Sequence, residues 1–260
     1  MTPTTGSLAV SDIRRIGRGD DAATLATAVY ERLFELLDRL RPDDWARPTD
    51  CAGWDVDDIV GHLLGAAEGH ASPREALRQS LRGWRERSRF DGSTLDAMND
   101  LQVREHAHLS PEEKVTALRA VVPAAVRTRA GLPGLVRAIP FPIPAVGSMP
   151  SGLPTRVTVG QGVDTLITRD VLMHRIDIAR AADLDPALGG EADRRLVADI
   201  VAEWAQRHGQ PVVLHLTGPA GGTYHQHDGG PSLELDAAEF CRVVSGRATG
   251  AGLLATHVLF

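Results

Sequence analysis

Residues 33–69 read LFELLDRLRPDDWARPTDCAGWDVDDIVGHLLGAAEG, two helical stripes joined by a loop of turn-forming residues. Upstream of the quoted run, Leu25 and Val29 join Leu33, Leu36, Leu37 and Leu40 at spacings of three and four, which marks a helix with one buried face. Arg41-Pro42 stops it, because a residue before proline is pushed out of helical backbone geometry. The segment RPTDCAGWDVDD then runs into a second helix start. There Asp55 is placed to accept the free N–H groups of the first turn, with Asp58 as its capping-box partner. Val56, Ile59, Val60, Leu63, Leu64 and Ala67 form the apolar face, and His62 falls inside that apolar flank.

Two further long helices follow the same logic. Ser110-Pro111-Glu112-Glu113 is a helix start with Ser110 as cap, continued by Val115, Leu118, Val122 and Val126, with Pro123 as a possible kink point. Residues 163–182 carry Val163, Leu166, Ile167, Val171, His174, Ile178 and Ala181 near one face. Between these helices, 72–108 is polar and helical in flavour, broken near FDGST. Residues 1–19 read as a frayed tail, and 131–161 as a crossover loop too rich in proline and glycine to hold an element. After LDPALGG the period changes. A helix over 191–208 precedes the strands PVVLHLTG, GTYHQH and PSLELD, then a short helix capped by Asp236 and a final strand GLLATHVLF. The expected fold class is α+β: a four-helix bundle over 20–185, then a small α/β domain over 186–260 with a mostly antiparallel sheet.

Composition narrows the function. The chain has 260 residues, is 43% hydrophobic and 24% charged, and carries a net charge of −6, which argues against a nucleic-acid surface. No apolar run is long enough to span a bilayer, and the N-terminus lacks a basic segment followed by an apolar core, so a cytoplasmic protein without membrane partners is expected. Two cysteines, Cys51 and Cys241, cannot build a disulfide framework or a cysteine-rich zinc site, and both are expected to pack as small apolar residues. Lys114 is the only lysine and Asn99 the only asparagine, a bias of high-GC coding such as that of actinobacteria.

Among the ten histidines, His70, His106, His108 and His208 read as solvated side chains, and His225 and His227 share a strand face without an evident third ligand. His174 differs because it comes as Asp170-x-x-x-His174. Residues i and i+4 of a helix share a face, with Cβ atoms about 5–6 Å apart, so a carboxylate oxygen and an imidazole nitrogen can grip one ion. With His62 from a facing helix the set becomes His–Asp–His with an open position, the pattern of a catalytic zinc or a similar divalent metal. The other reading of the same residues is a buried hydrogen-bond pair, with Asp170 held by Arg169 or Arg175.

The quoted stretch resembles the N-terminal signature of the mycothiol-dependent maleylpyruvate isomerase family, within the DinB-like superfamily: L-x-x-L-x-x-D-W-x-x-P-T-x-C-x-G-W-x-V-x-D-x-x-x-H-L. RDVLMHRIDIARA, residues 169–181, resembles the family's later helix, usually E-x-x-x-H-x-x-D, and LHLTGPAGGTYHQ with LELDAAEFCRVVSGRATGAGLL resembles its sterol-carrier-like C-terminal domain. The resemblance covers roughly residues 25–260. It implies a DinB-like bundle whose metal ligands fall on His62, Asp170 and His174, and an arginine used in activity on Arg247. Asp170 stands where the family usually has Glu, one methylene shorter in the same register. It also implies a divalent metal, zinc by preference, and mycothiol as thiol cofactor or co-substrate. A metal-bound thiol is held as thiolate near neutral pH and attacks an electrophilic carbon of a small molecule. Release of the thiol after bond rotation makes an isomerase, and its retention makes an S-transferase. Arg247 would hold an anionic group of thiol or substrate, or else close an ion pair between domains.

Two rivals belong to other classes. A hydrolase of the same fold would place water at the open metal position, and a non-catalytic relative would enclose a small molecule without turnover. A monomer or small homo-oligomer suits all three.

Overall fold

In the computed structural model, which describes residues 6–17, 20–142 and 153–260, the elements run in chain order as follows. A two-residue strand β1 (Leu8–Ala9) precedes α1 (Asp20–Leu37), α2 (Val56–Ala71), α3 (Pro73–Glu86), α4 (Thr94–His106), α5 (Pro111–Ala130) and α6 (Gly134–Arg137). Then come β2 (Pro140–Pro142), β3 (Arg156–Thr158), a turn α7 (Val159–Gln161), a π-helical turn Gly162–Leu166 and α8 (Ile167–Ala181). The chain ends with α9 (Gly190–His208), β4 (Val212–Thr217), β5 (Gly222–Gln226), β6 (Ser232–Asp236), α10 (Ala237–Val244) and a 3-10 turn Gly252–Ala255. Described residues 17–142 and 154–186 make one compact unit, and 6–16, 153 and 187–260 the other.

The helical unit is a bundle of α1, α2, α5 and α8, with α3 and α4 packed beside α2. Its caps are those the sequence signals. The Asp55 and Ser110 side chains accept from the N–H groups of Asp58 and Glu113, and both capping boxes close. The predicted stripes are buried: Val29, Leu33, Ile59, Val60 and Leu118 are each 0% exposed. Lys114 of α5 is sealed as well, its ammonium 2.5 Å from the Asp57 carboxylate of α2.

Glycines set the distance between α2 and its polar neighbours. A Cβ on Gly65 would lie 2.7 Å from the Gln102 Cβ of α4, and one on Gly69 would lie 3.0 Å from the Gln79 Oε1 of α3. At Gly61 the nearest neighbour would be at an ordinary 3.6 Å. The polar stretch 72–108 is helical as expected, and its two helices, α3 and α4, lie against the backbone of α2.

The smaller unit has a four-stranded sheet in the order β1-β5-β4-β6. β4 and β5 form an antiparallel hairpin with Leu214 opposite Tyr224, but β1 and β6 add in parallel, so the sheet is mixed rather than mostly antiparallel. Trp204 of α9, fully buried, donates its indole N–H to the Leu253 carbonyl (3.0 Å) and meets the Phe240 ring edge-on at 5.4 Å.

Three further expectations are corrected. The tail reading fails for its described part: Leu8 pairs with Tyr224, and the Asp199 carboxylate of α9 binds both the Arg15 guanidinium (2.7 Å) and the Ile16 N–H (2.9 Å). The proline-rich crossover holds α6 and an antiparallel β2–β3 pair, in which Phe141 stands opposite Val157, while 143–152 lie outside the described residues. GLLATHVLF forms a 3-10 turn and then runs outside the sheet, with the Val258 N–H donating to the Val244 carbonyl at 2.9 Å.

Gly65→Ala should cost about 1–3 kcal/mol in urea unfolding, since its Cβ overpacks a buried contact. Gly61→Ala should be neutral or stabilising by up to about 1 kcal/mol, because it gains helix propensity without a clash. Equal effects from the two would show that α4 does not approach α2 as closely as described.

Candidate functional site

His62 on α2 and Asp170 and His174 on α8 meet inside the helical unit. The Asp170 carboxylate lies between the rings, with Oδ1 3.3 Å from His174 Nε2 and Oδ2 3.6 Å from His62 Nε2. The ring centroids are 5.2 Å apart. One ligand atom from each residue falls within 4.8 Å of the others, a spread that one ion can close. Both histidines are buried, whereas the Asp170 side chain is 35% exposed, so the carboxylate marks the side open to solvent. Asp170 pairs with these histidines rather than with Arg169 or Arg175.

Each histidine is held by its other nitrogen. His62 Nδ1 meets Gln102 Oε1 at 2.8 Å, and His174 Nδ1 meets the Asp177 carboxylate at 3.2 Å. A ring anchored through Nδ1 presents Nε2, the usual way a protein orients a metal-binding imidazole. The loop before α2 closes over both rings. Gly53, at φ 83°, turns the chain between Cys51 and Trp54, and the Trp54 ring lies 5.1 Å from His62 and 6.3 Å from His174.

Cys51 does more than pack. Its thiol donates to Asp177 Oδ2 (3.4 Å) and lies 3.9 Å from His174 Nδ1. Cys51, His174 and Asp177 thus form a second set of possible ligands on the opposite nitrogen of the same ring. Asp177 is fully buried, whereas Asp170 of the other set is partly exposed. Cys241, 0% exposed, lies in the core as expected.

The electrostatics pair a carboxylate with an imidazolium. Burial opposes charge on both Asp170 and His174, but their mutual attraction and hydrogen bonds prevail. The Asp170 carboxyl is held well below its usual range, while the His174 imidazolium, helped by Asp177 and Cys51, is held well above its own. Nearby, burial pushes the Tyr30 hydroxyl up to about 12, tempered by Arg129 and reinforced by Asp170.

The other sequence candidates separate. His70, expected to be solvated, has a buried Nδ1 without a hydrogen-bond partner among the described residues. Burial and the Arg129 charge drive it down to about 3. His106 is also buried, bound to Gln102 O and Glu68. His225 bonds Ser7 (2.8 Å) from β5, and His227 follows the strand at φ 55°, so neither joins a ligand set among the described residues. Arg247 lies past the end of α10 in the smaller unit, half-buried, its N–H donating to Arg242 O at 2.9 Å. Gln79 and Gln102 were not singled out from sequence and carried no spacing that could have drawn attention, whereas Cys51 was expected only to pack, and Trp54 and Asp177 entered only as fixed positions of the quoted signatures.

Residues 26–179, more than half of the chain and including all three ligand candidates, match the family described as mycothiol maleylpyruvate isomerase N-terminal domain. The chain belongs to this family. It is therefore an enzyme of an isomerase family, with a DinB-like bundle as its family domain. Two solved structures are similar in fold. One is described as the mycothiol-dependent maleylpyruvate isomerase, at 16% identity and a TM-score of 0.53. The other is a histidine-to-alanine mutant of that isomerase, at 15% and 0.52. Each comparison covers 88% of this chain and 90% of the other. No curated protein sequence matches the chain. No helix among the described residues is long and apolar enough to cross a membrane.

The half-buried His70, with its Nδ1 closed off, gives a test of this region. Its folded value of about 3 lies below the ordinary 6.5, so between those values the unfolded chain binds more protons. Its contribution is present above pH 6.5 and is lost as pH falls, by at most about 1.4 kcal/mol per pH unit, less where the half-buried ring meets water. Urea unfolding at pH 7 and 4.5 should therefore show a smaller acid loss for His70→Phe than for the parent. Parallel losses would mean that His70 titrates normally.

Proposed function

We propose that the chain catalyses a thiol-dependent isomerisation or S-transfer on a small electrophile, with mycothiol as the thiol and a divalent metal, zinc by preference, held by His62, Asp170 and His174. The observation that carries this reading is the convergence of two Nε2 atoms and a carboxylate within 4.8 Å, each Nδ1 being tied elsewhere. The donor set fits the group: two imidazoles and one carboxylate suit zinc and leave room for an exchangeable ligand. When bound, the metal would supply the charge that keeps a small thiol as thiolate at neutral pH.

The chain's own residues prepare that centre. Asp170 bridges the two rings and faces solvent, Asp177 orients His174, and Trp54 covers the imidazole faces. No side chain is required as a general base, because a thiol held as thiolate has already lost its proton. In this reading the helical domain, about 20–185, is the catalytic half, and the small domain, about 186–260, supplies Arg247 for an anionic group of thiol or substrate. Maleylpyruvate, named for the structural neighbours, is the first electrophile to assay. A cytoplasmic monomer or small homo-oligomer without nucleic-acid or membrane partners fits the same reading.

The deciding assay follows electrophile consumption with metal held constant, with mycothiol, with glutathione and without thiol. Turnover should need thiol and favour mycothiol. Full activity without thiol would overturn the proposal in favour of hydrolysis, and no metal uptake and no turnover would favour a binding protein. His174→Ala should lower zinc affinity by more than about 100-fold, beyond the usual effect of losing an outer hydrogen-bond partner. Arg247→Met should raise KM while leaving zinc affinity unchanged.

A further inference from the structure

Behind His62 lies a chain of buried amides whose hydrogen-bonding sense can be read without ambiguity. Gln79, 2% exposed, sends one terminal atom to the Gly65 carbonyl (2.9 Å) and to Glu75 Oε1 (3.0 Å). A carbonyl and a carboxylate only accept, so that atom is the Gln79 Nε2 amine. Its Oε1 therefore faces Gln102 and must receive a hydrogen bond, which fixes the Gln102 Nε2 as the donor at 2.9 Å. Gln102, 4% exposed, is left with its Oε1 toward His62 Nδ1 at 2.8 Å. An amide oxygen cannot donate, so Nδ1 carries the proton.

We infer that Gln102 and Gln79 are positioning residues for His62: together they lock Nδ1 as the protonated nitrogen and so leave Nε2 as the one that faces Asp170 and His174. Four helices carry the relay, from the Gly65 carbonyl of α2 through Gln79 of α3 and Gln102 of α4 back to His62 of α2, where Nε2 turns to Asp170 of α8. Its geometry is enforced by packing, since side chains at Gly65 and Gly69 would occupy the space of the two glutamines. The two histidines are thus oriented by different devices. His174 has the charged Asp177 behind it, whereas His62 has a neutral amide chain that fixes direction without adding charge. The assignment of a metal to Nε2 rests on the function proposed above, but the proton on Nδ1 does not.

Two readouts on the full chain test this. Nitrogen-15 spectra of the histidine rings at alkaline pH, without metal, should show His62 protonated at Nδ1. In Gln102→Leu the Nδ1 preference should disappear, and zinc affinity, measured against a chromophoric chelator, should fall about 10–100-fold. Gln102→Glu keeps an oxygen for Nδ1–H but loses the donor to Gln79 Oε1, so it should retain the Nδ1 proton that Gln102→Leu loses. Gln79→Met, which frees Gln102 to turn over, should weaken the Nδ1 preference even if Gln102→Leu fails to fold. A parent protein protonated at Nε2, or a Gln102→Leu variant that keeps both the Nδ1 proton and full zinc affinity, would overturn the relay. If the Nδ1 proton is found but zinc does not bind, the relay stands and the metal reading fails.

Discussion

How closely α4 can lie on α2 governs the candidate centre. Two side chains of ordinary size at positions 65 and 69 would hold the helices apart, and neither buried glutamine could then reach its partner. With glycine there, the amide of Gln102 arrives at hydrogen-bonding distance behind His62. The same helix thus meets two opposite demands. One face is stripped to backbone so that polar side chains can be buried and fully bonded. The adjacent positions carry Ile59, Leu63 and His62 into the bundle. A buried amide is costly unless its donors and acceptors are met, so this local tightness also specifies which rotamers are allowed.

Charge is distributed with comparable economy. Two carboxylates, Asp170 and Asp177, bracket one imidazole in a region largely closed to water, and together they hold the His174 imidazolium above its usual range. The difference between them is access. Asp177 is sealed and holds both His174 and Cys51, while Asp170 is partly open. Cys51, bound to the sealed carboxylate, belongs to the supporting side of the ring.

Much of this was legible in the chain. The stripes from Leu25 to Leu37 and from Val56 to Ala67 are helical in the structure, with Leu40 past the end of α1, and the caps Asp55 and Ser110 work as their spacing predicts. His62, Asp170 and His174 come together because an i,i+4 pair and a histidine on an apolar flank are local signals of a shared face. What could not be read depends on distant partners. Leu8–Ala9 is too short to show a period and is a strand only because β5 offers an edge. Phe141 lies in a segment of alternating prolines whose pairing needs Val157 from across the gap. Gln79 and Gln102 sit in sequence that looks solvent-facing, and only the glycines of another helix bury them.

The single lysine has a consequence for handling the protein. The other 27 of the 28 lysine and arginine side chains are guanidinium groups, and Lys114 is 1% exposed beneath the α2–α5 contact, its ammonium against Asp57. Amine-directed crosslinkers, acylating dyes and lysine acetylation therefore find no lysine side chain on the folded surface. Acylation of Lys114 becomes possible only when α5 separates from α2, so the labelling rate at this one position is a built-in clock for opening of the bundle beside the candidate centre.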